Sequence, residues 1–163
     1  MLYWLHKQVR GGLFVMWTKS KSLLLSRIMT LAFFLLLVIG TLFLPRMVRG
    51  YIELSGKTQD IYMPLLVTLY ASVPPAAALL VCLYRLLHYI GRGEVFTEKN
   101  VFLLRVISWF CFIIAVIYGV FCFRYVLAIL IGAAAAFVGI ILRVVKNVFE
   151  QAIAIKTEND FTI

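Results

Sequence analysis

Apolar side chains run almost unbroken through four stretches of this chain, 23–44, 63–83, 106–123 and 126–142. The first holds one charge, Arg27, near its start, and the other three hold none. Each is close to the ~17–25 residues that carry a helix across a hydrocarbon core about 30 Å thick. None alternates as a barrel strand would, and a helix is the remaining way to satisfy every backbone polar group inside lipid. Only Arg124 and Tyr125 part the third run from the fourth. As one helix, 106–142 would be about 55 Å long, too long for one crossing, so a tight hairpin turning at 123–125 is expected. The pattern predicts an all-α integral membrane protein, four transmembrane helices in an up-down-up-down bundle. A basic leader at 1–22 precedes the membrane domain at 23–142, and a helical tail follows at 143–163.

Composition agrees with this division. Of 163 residues, 64% are hydrophobic and 14% charged, and the mean hydropathy is +1.01. A soluble domain of this size cannot hide so much apolar surface from water. Disorder, collagen-like repeats and disulfide-rich scaffolds are excluded by the same figures. The net charge of +9 raises nucleic-acid binding, but the basic residues cluster at span ends and no helix-turn-helix or zinc-finger spacing is present. Twelve Lys and Arg fall in the N-terminal segment up to Arg27, the loop between spans two and three, and the tail, against four on the other side. The positive-inside rule then puts both termini in the cytoplasm, and no direct contact to nucleic acid is expected.

The first span is too long for a signal-peptide core and no small-residue cleavage pattern follows it, so it is expected to be retained. Ahead of it, Leu2, Leu5, Val9, Leu13 and Met16 recur at helical spacing, the pattern either of a segment lying in the inner leaflet surface or, with Gly11-Gly12 loosening it, of an unstructured leader.

Candidate chemistry is sparse. All seven acidic residues lie outside the four runs, whereas proton- and cation-coupled carriers use an intramembrane carboxylate. No H-E-x-x-H or G-x-S-x-G pattern occurs, and the two histidines, His6 and His88, suggest neither a metal site nor a triad. No enzyme activity, cofactor or metal is expected. Cys82, Cys111 and Cys122 read as small apolar packing residues. Pro74 and Pro75 interrupt span two and should kink it. They are the candidate hinge, with Thr68 and Ser72 able to serve freed backbone groups. Gly132, Ala136 and Gly139 make a small-residue face on span four, which admits either an internal helix or a second protomer.

Sequence specificity concentrates in two polar places. In the loop, Gly91 and Gly93 end span two, Thr97 is the expected N-cap of the next helix with Glu98 in its first turn, and Val95-Phe96 can staple against Val101 or Phe102. In the tail, Val145, Val148, Phe149, Ala152 and Ile155 form an apolar stripe with Lys146 and Glu150 off it. Such a stripe must cover the loop, the leaflet or a partner.

The run G-E-V-F-T-E-K-N-V-F-L-L-R at 93–105 and the ending V-F-E-Q-A-I-A-I-K-T-E-N-D-F-T-I at 148–163 resemble a bacterial family of small four-span membrane proteins. That family is known only as domain of unknown function twenty-nine seventy-five. The resemblance covers about 22–163 and rests on Gly93, Phe96, Thr97, Asn100 and Arg105 in the loop and Glu158, Asp160, Thr162 and Ile163 at the end. It implies a neighbouring regulator of the Cro/C1 helix-turn-helix type, and no activity. These residues other than Thr162, with Phe149, are the candidate interaction site. The expected function is non-enzymatic, the docking of a soluble partner through loop and tail. The alternatives are an oligomeric permeation or export component, or tolerance to a membrane-active peptide through the outer loop 45–62.

Overall fold

The computed structural model describes residues 19–56, 59–121 and 126–160. Four long helices lie among them: α1 (Lys19–Ser55), α2 (Tyr62–Gly91), α3 (Glu98–Phe121) and α4 (Val126–Asp160), with a 3-10 turn at Gln59–Ile61 leading into α2. All four are long and apolar enough to cross a membrane, and no strand occurs among the described residues. The leader stripe, Cys122, the turn at 123–125 and the last residues, Thr162 and Ile163 among them, lie outside the described residues.

The helices outrun the apolar runs that predicted them. α1 has 37 residues and α4 has 35, each more than about 50 Å long at 1.5 Å per residue, so both continue well past a hydrocarbon core. Pro45 lies inside α1. Its missing N–H frees the Thr41 carbonyl one turn back, and the Tyr70 hydroxyl of α2 donates to that oxygen at 3.4 Å. Pro74 and Pro75 both lie within the continuous α2, where they free the carbonyls of Tyr70 and Ala71. The hydroxyls expected to serve those groups go elsewhere, Thr68 to the Pro64 carbonyl at 2.9 Å and Ser72 to the Leu69 carbonyl at 2.8 Å. Each hydroxyl reaches only three or four residues back, so neither meets the carbonyls that these prolines leave open.

Successive helices run antiparallel, and each packs chiefly on its neighbours in the chain. On α1 and α2 the cross-contacts descend in step: Arg27 on Leu87 and His88, Tyr70 on Thr41, and Arg49 over the Tyr62 ring. The main buried cluster lies among α2, α3 and α4 near the loop joining α2 to α3. It is built from Leu86, Leu103, Leu104, Ile107 and Cys111, with Leu142, Val145 and Phe149 of α4 packed against it. Lipid is the solvent for the many exposed apolar side chains, such as Leu36 and Leu42 on α1.

Gly132 and Gly139 set the α3–α4 spacing. A Cβ on Gly132 would stand 3.2 Å from the Ala115 carbonyl oxygen, and one on Gly139 3.2 Å from the Cys111 Cβ and 3.3 Å from the Phe112 ring. The Ser108 hydroxyl uses this closeness to donate to the Gly139 carbonyl at 2.8 Å. Ala136, half-buried, lies along the same helix between them. The glycines of this small-residue face therefore meet an internal helix.

Arg27 is the one charge in the first apolar run, and the fold gives it a partner. Its Nη2 donates to the Leu87 and His88 carbonyls at 3.1 and 3.2 Å, at the C-terminal end of α2, where carbonyls lack helical donors and cations are favoured. Gly91 makes the room, since a Cβ there would collide with the guanidinium. Gly91→Ala is therefore expected to displace Arg27 and cost about 1–2 kcal/mol. In an Arg27→Met background the same change should be nearly neutral. Thermal unfolding of the four proteins of this cycle in detergent checks the non-additivity.

Candidate functional site

The loop between α2 and α3 is closed by specific backbone and side-chain bonds. α2 ends in a Schellman arrangement: the Gly93 N–H donates to the Ile90 carbonyl at 3.1 Å and the Glu94 N–H to the Tyr89 carbonyl at 3.2 Å. This requires a left-handed residue after the cap, which Gly93 supplies at φ +84°. Of the two glycines expected to end span two, Gly93 is the one that does so; Gly91 is still helical.

Thr97 stands at the N-cap position, its carbonyl accepting from the N–H groups of Asn100 at 3.0 Å and Val101 at 3.3 Å. Its hydroxyl is buried without a hydrogen-bond partner, so it does not make the side-chain cap expected of it. Asn100 does the closing instead. Its side-chain amide reaches back to the Glu94 carbonyl at 2.5 Å and the Val95 carbonyl at 2.8 Å. With 0% of its surface exposed, Asn100 is the most enclosed side chain described.

The loop is also fastened to the tail. The Phe96 ring lies 5.5 Å from that of Phe149 on α4, so its ring partner comes from a different helix than the expected staple. Arg105 of α3 meets Glu150 of α4 at 3.0 Å, and Lys146 meets the other carboxylate oxygen at 2.8 Å. The hydrogen bond from Lys146 is the main influence holding the Glu150 carboxyl below the usual carboxylate range. Partial desolvation opposes it, and Arg105 adds to it. Lys146 and Glu150 lie off the apolar stripe of the tail, and they too face α3. The stripe itself divides: Val145 and Phe149 pack on the core, while Val148 and Ile155 stay exposed.

Beside this fastening lies an open groove of about 780 Å³ between the start of α3 and the tail of α4. Its floor includes Val101, Phe102, Ile153 and Ala154, and its rim carries Glu98, Glu150 and Glu158 with Arg105. Of the candidate interaction residues, Arg105 and Glu158 line the groove. Gly93, Thr97 and Asn100 build the adjoining loop, and Phe96 and Phe149 tie that loop to the tail. Asp160 closes α4. Pro74, Pro75, Gly132 and Gly139 lie away from it, in the helices. Among the described residues no three His, Cys, Asp or Glu gather as a metal site would need.

Sequence reasoning passed over Arg27, Arg143 and Lys146 as orientation charges. Arg27 carried a signal, as a lone charge inside an apolar run. Lys146 carried one too, since Glu150 follows it by one helical turn, whereas Arg143 carried none, because its partner Trp109 becomes a neighbour only through the α3–α4 contact.

Four lipid-crossing helices without a carboxylate in their central stretches, closed at one end by a hydrogen-bonded loop and an ion-paired tail, define a small multi-pass membrane protein. The family described as protein of unknown function (DUF2975) matches residues 46–163, and the chain belongs to it. The match begins after the first apolar run, a narrower reach than the resemblance suggested. No curated protein and no solved structure matches the chain.

Proposed function

We propose that this is a non-enzymatic protein of the bacterial cytoplasmic membrane, both termini inside, which docks a soluble partner at its loop–tail end. The observation that carries the reading is the groove between α3 and the tail. It is an apolar trough between two helices, bordered by three carboxylates and one guanidinium. Such a trough suits an amphipathic helix laid lengthwise. The acidic balance of the rim, at an end of the molecule otherwise rich in Lys and Arg, favours a helix with basic flanks. A small helix-turn-helix regulator, whose nucleic-acid surface is necessarily basic, has that chemistry. The small-residue face of span four gives the permeation alternative little support, since α3 already occupies its glycines.

Flotation of the purified neighbouring regulator with proteoliposomes holding the full chain tests this. Ala154 is exposed on the groove floor, so Ala154→Arg should leave the fold intact while putting a charge where the helix would lie. Regulator binding is expected to fall at least about tenfold. A regulator that does not float with the wild-type protein sinks the proposal.

A further inference from the structure

On the other side of the Arg105–Glu150 pair from the groove is a second, smaller recess. It has a volume of about 40 Å³ and is lined by Arg105, Ser108, Trp109, Arg143 and Lys146. Three cations thus converge on one space. The acid that meets them is Glu150, shared between Arg105 and Lys146. Arg143 has no acidic partner among the described residues; its guanidinium lies 5.5 Å over the Trp109 ring. The Lys146 side chain is only 14% exposed, so its stem packs into the recess wall. Three neighbouring cations with one carboxylate repel one another, the more strongly as water is excluded.

Depth along the bundle indicates which class of anion this recess would meet. Arg143 directly follows the charge-free run 126–142, at the level where a span leaves hydrocarbon. Trp109 beside it is 55% exposed, as aromatic residues are at the headgroup level. We propose that the recess between α3 and α4 is a binding site for the phosphate of an anionic phospholipid. One phosphate oxygen enters between Arg105 and Lys146, the planar Arg143 fork engages the outer oxygens, and Trp109 flanks the glycerol and upper acyl chain. Basic pockets between spans at the membrane surface suit such headgroups. Phosphate bound here competes with Glu150 for Arg105 and Lys146. Lipid composition would then act on the same ion pair that borders the groove, although the lipid site does not depend on groove docking.

The tryptophans of the chain are Trp4, Trp17 and Trp109, so Trp4→Phe with Trp17→Phe leaves a fluorophore at the site without altering it. The full chain carrying these changes is placed in vesicles containing small fractions of brominated phosphatidylglycerol or brominated phosphatidylcholine. Both lipids carry the phosphate, but choline adds a cation beside Arg105, Arg143 and Lys146, so Trp109 quenching by the glycerol lipid is expected to reach half its maximum at a mole fraction about tenfold lower than with the choline lipid. Arg143→Gln should abolish that preference, Arg143→Lys should keep most of it, and Arg92→Gln, at an exposed position away from the recess, should leave it unchanged. Inorganic phosphate that removes the preference supports the same site with a soluble anion as competitor. Equal quenching by the two lipids, or a loss with Arg92→Gln as large as with Arg143→Gln, overturns the proposal.

Discussion

Asn100→Ala is expected to destabilise the loop–tail end by about 2 kcal/mol and to make the bond after Arg92 an early site of tryptic cleavage. The side-chain amide spends both of its N–H groups on the Glu94 and Val95 carbonyls, and no other hydrogen bond described ties the middle of the loop to α3. Each carbonyl left without a donor costs about 1–3 kcal/mol when buried. Glu94 is exposed and Val95 half-buried, so water recovers part of that. The volume lost at a fully enclosed site adds a cavity term.

Asn100→Asp separates hydrogen bonding from shape. The introduced carboxylate is nearly isosteric but accepts only, and it would face two carbonyl oxygens in an enclosed site. At neutral pH it should be worse than alanine, because an unpaired buried charge costs several kcal/mol. Burial and carbonyl oxygens raise the folded-state pKa of that carboxyl above its unfolded value. The folded state then binds more protons between the two values, so stability should recover as pH falls through the raised pKa. Thermal unfolding and trypsin sensitivity between pH 4 and 8, both read against wild type, check the sign; a variant that loses stability in acid relative to wild type contradicts it.

Gly139→Leu is the other substitution with a large expected effect, about 3 kcal/mol or more. Even the first added carbon lies 3.2–3.3 Å from Cys111 and the Phe112 ring. A leucine must therefore push α3 and α4 apart at the point where Ser108 donates to the Gly139 carbonyl. Gly119→Ala is the control, because a Cβ there meets nothing within 4 Å, and replacing helical glycine should stabilise slightly. Unfolding midpoints in detergent micelles should fall for the first and hold or rise for the second. Comparable losses in both would mean that the glycines act through helix flexibility and not through close approach.

Helix count and fold class were legible in the sequence because hydrocarbon imposes one demand on every residue of a span, and apolar runs report it directly. Helix ends were less legible. The apolar run stops at residue 44 while α1 continues to Ser55, since a helix leaving lipid need not stop where its side chains turn polar. The special status of 93–105 and 148–163 was also visible, but not which residues held the two together. Thr97 is the residue type of a cap and Asn100 was marked only by the resemblance, yet Asn100 closes the loop because α3 starts at a register that aims residue 100 back under residues 94 and 95.

By itself the sequence determined that this protein is four apolar helices with a basic end and no carboxylate in their apolar runs, because composition and spacing act locally. Tertiary structure decided which groups meet: Arg27 with the end of α2, the span-four glycines with α3, Phe96 with Phe149, and Glu150 between Arg105 and Lys146. Those pairings join residues as far as 61 positions apart. Except for Lys146–Glu150, four residues apart on one helix, no local pattern encodes them, since each depends on how antiparallel helices slide against one another, and that sliding is set by close packing along their whole length.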